Sequence, residues 1–221
     1  MLRIPAAQAG TATAIFFHGL GDSGAGMKFL AAESHRRPEL QHVNFVLPTA
    51  PIRYFAAFGG STTGWFDFSP TGPNGERGIE DVAGMEESLK LLNSLIEQEI
   101  ARGIPASRIL VGGFSQGSML AQATAFTSKH KLAGFTPLSG RLPTIERLKE
   151  KRVDTNLNTP VFLAHGTEDD IIPVAECDKS LAAFKECGFT NVEAHKYPDM
   201  GHSLCLEELE ELIAFIKRVI P

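Results

Sequence analysis

The sequence predicts an α/β fold: a mostly parallel central sheet with helices on both faces, in one domain spanning residues 1–221. Apolar runs of four to eight residues alternate with longer segments of helical period, the pattern of strands joined by crossover helices. Most of the runs are continuously apolar, as strands are when both faces of a sheet are covered. A chain of 221 residues can bury roughly 70% of its unfolded surface, enough for a core without covalent staples.

In chain order, strands are expected at residues 11–17, 43–47, 108–112, 132–138, 160–164 and 192–197. Helices are expected at 25–35, 80–101, 115–127, 174–187 and 204–219. The clearest is 80–101, where Val82, Met85, Leu89, Leu92, Ile96 and Ile100 form one stripe and Gly103 stops the helix. The last carries Leu206, Leu209, Ile213, Ile216 and Ile220 at the same spacing. One segment breaks the rhythm. Residues 52–78 are rich in Gly, Pro, Ser and Thr, yet hold Tyr54, Phe55, Phe58, Trp65, Phe66 and Phe68. Six aromatics favour an ordered flap, which either anchors the loop to the body or lines an apolar substrate groove.

A net charge of −5 with no basic cluster argues against nucleic acid or an anionic membrane surface as the main partner. No run approaches the ~20 apolar residues of a membrane span, so stable membrane insertion is not expected. The N-terminus lacks the apolar core of a signal peptide, and Leu2 stands where N-myristoylation needs glycine. Cys177, Cys187 and Cys205 form neither a metal pattern nor a secretory disulfide framework, which points to reduced thiols and a cytosolic or nuclear compartment. No metal-ligand spacing such as H-E-x-x-H is present, so no metal and no cofactor are expected. A homodimer is left open.

The chemistry gathers at strand ends. The run Ile109-Leu110-Val111 enters Gly112-Gly113-Phe114-Ser115-Gln116-Gly117, a G-x-S-x-G motif, and then a helix start. In a nucleophile elbow the serine occupies a strained turn, with glycines where a Cβ would collide with the neighbouring strand and helix. The helix N-terminus adds N–H donors where negative charge develops. A serine hydroxyl needs a base, and that base needs an orienting carboxylate. The strand at 160–164 ends in His165-Gly166-Thr167-Glu168-Asp169-Asp170, which offers the acid; the strand at 192–197 leads to Gly201-His202-Ser203, which offers the base. These residues fix the acid's loop but leave Glu168, Asp169 and Asp170 as alternatives. The order Ser, acid, His is that of α/β-hydrolases.

Oxyanion donors are expected from the backbone N–H groups of Leu20, in the loop after the first strand, and Gln116, in the elbow. The same loop reads Gly19-x-Gly21-x-x-Gly24, a formal dinucleotide fingerprint and hence a rival oxidoreductase reading. Against it, Asp22 would sit beside the pyrophosphate, and the second strand ends Leu47-Pro48-Thr49 without an acid for the ribose.

Taken together, His18-Gly19-Leu20-Gly21-Asp22-Ser23, Pro48-Thr49-Ala50-Pro51, Trp65-Phe66-Asp67, the elbow, His165-Gly166-x-x-Asp169 with Pro173, and Gly201-His202-Ser203 resemble the acyl-protein thioesterase and carboxylesterase family of α/β-hydrolases. The likeness spans nearly the whole chain. It implies cytosolic hydrolysis of thioesters, including palmitoyl groups on protein cysteines, and of small carboxyl esters and lysophospholipids. It also implies Asp169 as the acid. The expected substrate is thus an acylated protein or a small ester, with a short-chain carboxylesterase or lysophospholipase as the alternative. Leu20, Trp65, Phe66, Leu142 and Ile171 are expected at the acyl chain. Ser118, where glycine is common, Gly140-Arg141-Leu142-Pro143, and the aromatics from Tyr54 to Phe58 depart from the family pattern and bear on chain-length preference.

Overall fold

The computed structural model describes residues 1–68 and 81–221; Glu80, expected to open a helix, and the 69–78 part of the aromatic segment lie outside the described residues. Among the described residues the strands are β1 (Leu2–Ile4), β2 (Ala12–Phe17), β3 (Val43–Leu47), β4 (Ile52–Phe55), β5 (Gly60–Thr63), β6 (Ile109–Phe114), β7 (Gly134–Leu138), β8 (Val161–Gly166) and β9 (Val192–Tyr197). The helices are α1 (Lys28–His35), α2 (Val82–Ala101), α3 (Gln116–Thr127), α4 (Ile145–Lys151), α5 (Ala175–Glu186) and α6 (Leu206–Val219). This is an α/β-hydrolase sheet: seven strands in the order β1-β3-β2-β6-β7-β8-β9, all parallel except the antiparallel β1.

Alternation along the central strands builds two cores. Ile15 and Phe17 of β2 and Val111 of β6 face a cluster that takes in Leu92, Leu95 and Ile96 of α2, Leu120 and Phe126 of α3 and Phe184 of α5. Ala14 and Phe16 of β2 and Leu110 of β6 face the other side, where Leu30 of α1 and Leu212, Ile213, Phe215 and Ile216 of α6 pack. Helix α3 is buried almost all round, which is why its apolar residues show no stripe. On its outer end Phe126, Phe184 and Phe189 pack with ring centroids 4.8 to 4.9 Å apart, an arrangement worth about 1 kcal/mol per pair beyond area burial.

Four elements among the described residues were not expected. β1 has only three residues, all half-buried against β3. β4 and β5 form a separate antiparallel ribbon within the aromatic segment, pairing Ile52 with Thr63 through Phe55 with Gly60. Helix α4 is seven residues long and starts just after Pro143-Thr144.

The strand order places the functional surface. From β2 the chain moves outward to β3, and from β6 it moves the opposite way to β7. The neighbours β2 and β6 therefore flank the switch point, where a crevice opens beyond the carboxyl ends of parallel strands. The loop at Leu20 follows β2, and Ser115 follows β6.

Candidate active site

Ser115 sits between β6 and α3 with φ 55° and ψ −114°, a backbone conformation that L-residues avoid and that persists only where the surroundings impose it. The surroundings do so through two glycines. A Cβ at Gly113 would overlap the Gly117 backbone, and one at Gly117 would overlap the Phe17 carbonyl of β2. The Ser115 N–H donates to the Leu138 carbonyl at 3.0 Å, tying the turn to the end of β7.

Two loops meet the serine. His202 Nε2 lies 2.9 Å from Ser115 Oγ, and its Nδ1 lies 2.7 Å from Asp169 Oδ2. Asp169 is buried, and its other oxygen accepts the backbone N–H groups of Ile171 at 3.0 Å and Ile172 at 2.7 Å. Because a carboxylate only accepts, Nδ1 of His202 carries the proton and Nε2 is left as the acceptor that faces the serine hydroxyl. Of the three acids in the loop, Asp169 reaches the imidazole. Its neighbour His165 is 1% exposed; its Nε2–H donates to the Ile172 carbonyl at 2.8 Å and stands 3.2 Å from Asp169 Oδ2. It braces the acid loop from below.

The loop after β2 lies against the elbow: a Cβ at Gly19 would stand 3.2 Å from that of Ser115. Among the described residues, neither the Leu20 N–H nor the Gln116 N–H donates to a protein acceptor. Unclaimed backbone donors in the two loops next to a serine hydroxyl suit a developing oxyanion. The glycine spacing that resembles a dinucleotide fingerprint serves packing here. Gly24 lies against the Leu47 carbonyl, the Asp22 carboxylate accepts the Ser23 N–H at 2.7 Å and packs on Gly26, and α1 begins only at Lys28. No helix N-terminus is presented at Gly24 for a pyrophosphate.

A polar network that the sequence did not reveal lies beneath these donors. His18 is fully buried; its Nε2 accepts the Ala50 N–H at 3.0 Å, so Nδ1 carries the proton and donates to the Gly19 carbonyl at 2.6 Å. Burial holds its pKa below the ordinary histidine value. The Trp65 indole donates to the His18 carbonyl at 2.8 Å. The Gln116 side chain accepts the Trp65 N–H at 3.0 Å and donates to the Phe66 carbonyl at 2.9 Å. The only signal in the sequence was the single tryptophan, a residue whose N–H needs a partner once buried.

The residues expected at an acyl chain divide. Leu20 is half-buried beside the Gly64 backbone, and Ile171, on the acid loop, is 65% exposed. Leu142 is buried. Trp65 and Phe66 are core side chains with essentially no exposed ring surface to offer a substrate. The aromatic segment thus does two things: Phe55, Trp65 and Phe66 anchor it, while Ile52, Tyr54 and Phe58 stand in solvent. Among the described residues no helix is long and apolar enough to cross a membrane, and no three His, Cys, Asp or Glu side chains are grouped to hold a metal.

Sheet order, elbow and loop placement define an α/β-hydrolase. The profile of the phospholipase/carboxylesterase family matches residues 4–220. Acyl-protein thioesterase 1 of Yarrowia lipolytica is 40% identical over 222 residues, covering 99% of this chain and 96% of that protein. The crystal structure of Zea mays acyl-protein thioesterase 2 aligns over 100% of this chain and 98% of its own at TM-score 0.85 and 28% identity. That of Arabidopsis thaliana SOBER1 covers 95% of this chain and 99% of its own at TM-score 0.83 and 27% identity. The chain belongs to the phospholipase/carboxylesterase family, serine hydrolases of ester and thioester bonds.

Proposed function

We propose that this hydrolase is an acyl-protein thioesterase in which Ser115 is the nucleophile, His202 the general base and acid, and Asp169 the group that orients and charge-balances the imidazole. One observation carries the proposal: the continuous chain of hydrogen bonds from Asp169 through His202 to Ser115 Oγ, at 2.7 and 2.9 Å. His202 takes the hydroxyl proton as Ser115 attacks the acyl carbonyl. The Leu20 and Gln116 N–H groups receive the oxyanion, each donor contributing about 3 kcal/mol in comparable sites. The tetrahedral intermediate expels a thiolate or alkoxide, which His202 protonates, leaving an acyl-enzyme. Water, deprotonated by the same imidazole, then releases the carboxylic acid.

Support for a thioester substrate comes from relatives named acyl-protein thioesterase 1 at about 40% identity over the full chain. Leu20 belongs to the donor loop, whose Gly19 abuts Ser115, and Ile171 belongs to the acid loop, its N–H donating to Asp169; we assign the acyl chain to Leu20, Ile171 and Leu142. Three free cysteines support a reducing cytosolic or nuclear setting.

The test compares an S-palmitoylated peptide with p-nitrophenyl esters of short and long acids. A kcat/KM for the S-acyl peptide well above that for the short ester is expected, with both lost in Ser115→Ala. Preference for the short ester would make the protein a small-ester carboxylesterase instead.

A further inference from the structure

We propose that Trp65 and the Gln116 side chain are positioning residues: together with His18 they clamp the two oxyanion-donor loops at a fixed separation and orientation. The proposal rests on the roles assigned above to Ser115, Leu20 and Gln116, and extends them to side chains that touch no substrate.

The clamp starts from the peptide plane. In a trans peptide the carbonyl and the N–H point in opposite directions. The Leu20 N–H shares its plane with the Gly19 carbonyl, and that carbonyl is held at 2.6 Å by His18 Nδ1–H. The preceding carbonyl, of His18 itself, is held by the Trp65 indole at 2.8 Å. On the far side of Leu20, the Gly21 N–H donates to the Thr63 carbonyl at 2.8 Å, and Thr63 Oγ1 donates to the Asp22 carbonyl at 2.6 Å. Residues 63–65 therefore grip the donor loop on both sides of Leu20.

The same segment grips the other donor. Gln116 is 6% exposed, and among the described residues its side-chain amide bonds only to the backbones of Trp65 and Phe66. Glutamine is an expensive choice for a buried position unless each polar atom is matched. Methionine would fill the volume without that cost, and it would leave the donor loops unlinked. The Trp65 carbonyl is in turn fixed by the Ser88 hydroxyl of α2, so the clamp is anchored to the core. Every polar group of Trp65 is thereby used to join β2's loop, the elbow and α2.

A clamp of this kind acts on the transition state. Two donors converge on one oxygen only if their loops keep register, and a misplacement near 1 Å costs on the order of 100-fold in rate. Ground-state substrate binding does not depend on that convergence.

Three variants test the assignment: Gln116→Met, Trp65→Phe and Gln116→Glu. Each is assayed for ester hydrolysis per titratable Ser115, for inhibition by an alkyl trifluoromethyl ketone, which forms a tetrahedral oxyanion on the serine, and for thermal melting. In Gln116→Met and Trp65→Phe, kcat per titrated site is expected to fall roughly 10- to 100-fold with little change in KM, and ketone affinity should fall by the same factor. Gln116→Glu carries a distinct signature. A protonated carboxyl can accept from Trp65 and donate to Phe66 as the amide does, whereas a carboxylate aims an acceptor at the Phe66 carbonyl. Its rate relative to the unmodified enzyme should therefore rise as pH is lowered. Unchanged kcat per titrated site, or a rate loss that merely follows the loss of folded protein, would overturn the clamp. If instead the unmodified protein resists the ketone, or Ser115→Ala still turns over, the assignment of the nucleophile fails and the clamp with it.

Discussion

Replacing Asp169 by asparagine tests the electrostatics of the site through a single atom. Oδ1 of Asp169 accepts two backbone N–H groups, from Ile171 and Ile172, while Oδ2 faces His202 Nδ1 at 2.7 Å. An asparagine must turn its NH2 toward one side or the other. Backbone amides cannot change from donors to acceptors, but an imidazole can shift its proton. The amide NH2 therefore goes to His202, and Nδ1 becomes the acceptor. Nε2 then carries the proton and meets Ser115 Oγ as a donor, so the base is lost without any change of shape. The fold is expected to survive, because Oδ1 keeps both backbone partners. Tautomer inversion of this kind costs about 10⁴ in kcat in serine hydrolases, or about 5.5 kcal/mol of transition-state stabilisation. The assay is p-nitrophenyl ester hydrolysis by Asp169→Asn at neutral pH, with the His202 tautomer read from its ¹⁵N shifts. A rate within tenfold of the unmodified enzyme would refute the reasoning, as would an Nδ1–H tautomer in the variant.

Other perturbations read other parts of the structure. Gly117→Ala puts a Cβ into the Phe17 carbonyl of β2, where backbone cannot yield; overpacking of this sort costs about 3 kcal/mol, read as a lower urea midpoint, together with loss of activity. Glu208 lies in the first turn of α6, inside the core; neither carboxyl oxygen has a hydrogen-bond partner among the described residues, and burial pushes its pKa from 4.5 up to about 8. The unfolded chain then releases this proton near 4.5 while the folded chain keeps it to about 8. The contribution of Glu208 is thus full below pH 4.5 and is lost as pH rises toward 8, by at most about 5 kcal/mol. Glu208→Gln should gain stability over the unmodified protein steadily across that window, and parallel stability curves would contradict the account. His18 shifts the other way. Its pKa is lowered by burial and its Nε2 is occupied by the Ala50 N–H, so its contribution is present above the ordinary histidine value and is lost as pH falls below it. His18→Ala should weaken this acid dependence of unfolding.

The sheet was legible because its central strands are covered on both faces: β2, β7 and β8 are buried along their whole length and read as largely apolar runs, broken by Thr13, Thr136 and His165. The candidate site was legible because each of its chemical groups follows a strand of the main sheet, Ser115 after β6, Asp169 after β8 and His202 after β9. The ribbon of β4 and β5 was not. Its residues pair with each other, outside the main sheet, and only Phe55 of β4 is buried, so neither period nor continuity marks it. Helix α4 carries five charged residues in seven, a pattern easily read as loop. The role of Gln116's side chain was hidden for a different reason. Its partners lie about fifty residues away in sequence, and no local pattern says that Trp65 and Phe66 pass over the elbow. Trp65 is expected at a substrate because six aromatics cluster in residues 52–78, whereas its indole and backbone are fully engaged inside the protein.

The central claim is that Ser115 carries the acyl group in the acyl-enzyme. Its most direct test is intact-protein and peptide mass spectrometry after treatment with an alkyl fluorophosphonate. A single adduct is expected, mapped to the peptide that contains Ser115, absent from Ser115→Ala and formed far more slowly in His202→Ala. An adduct on another residue, or labelling that persists in Ser115→Ala, would contradict it.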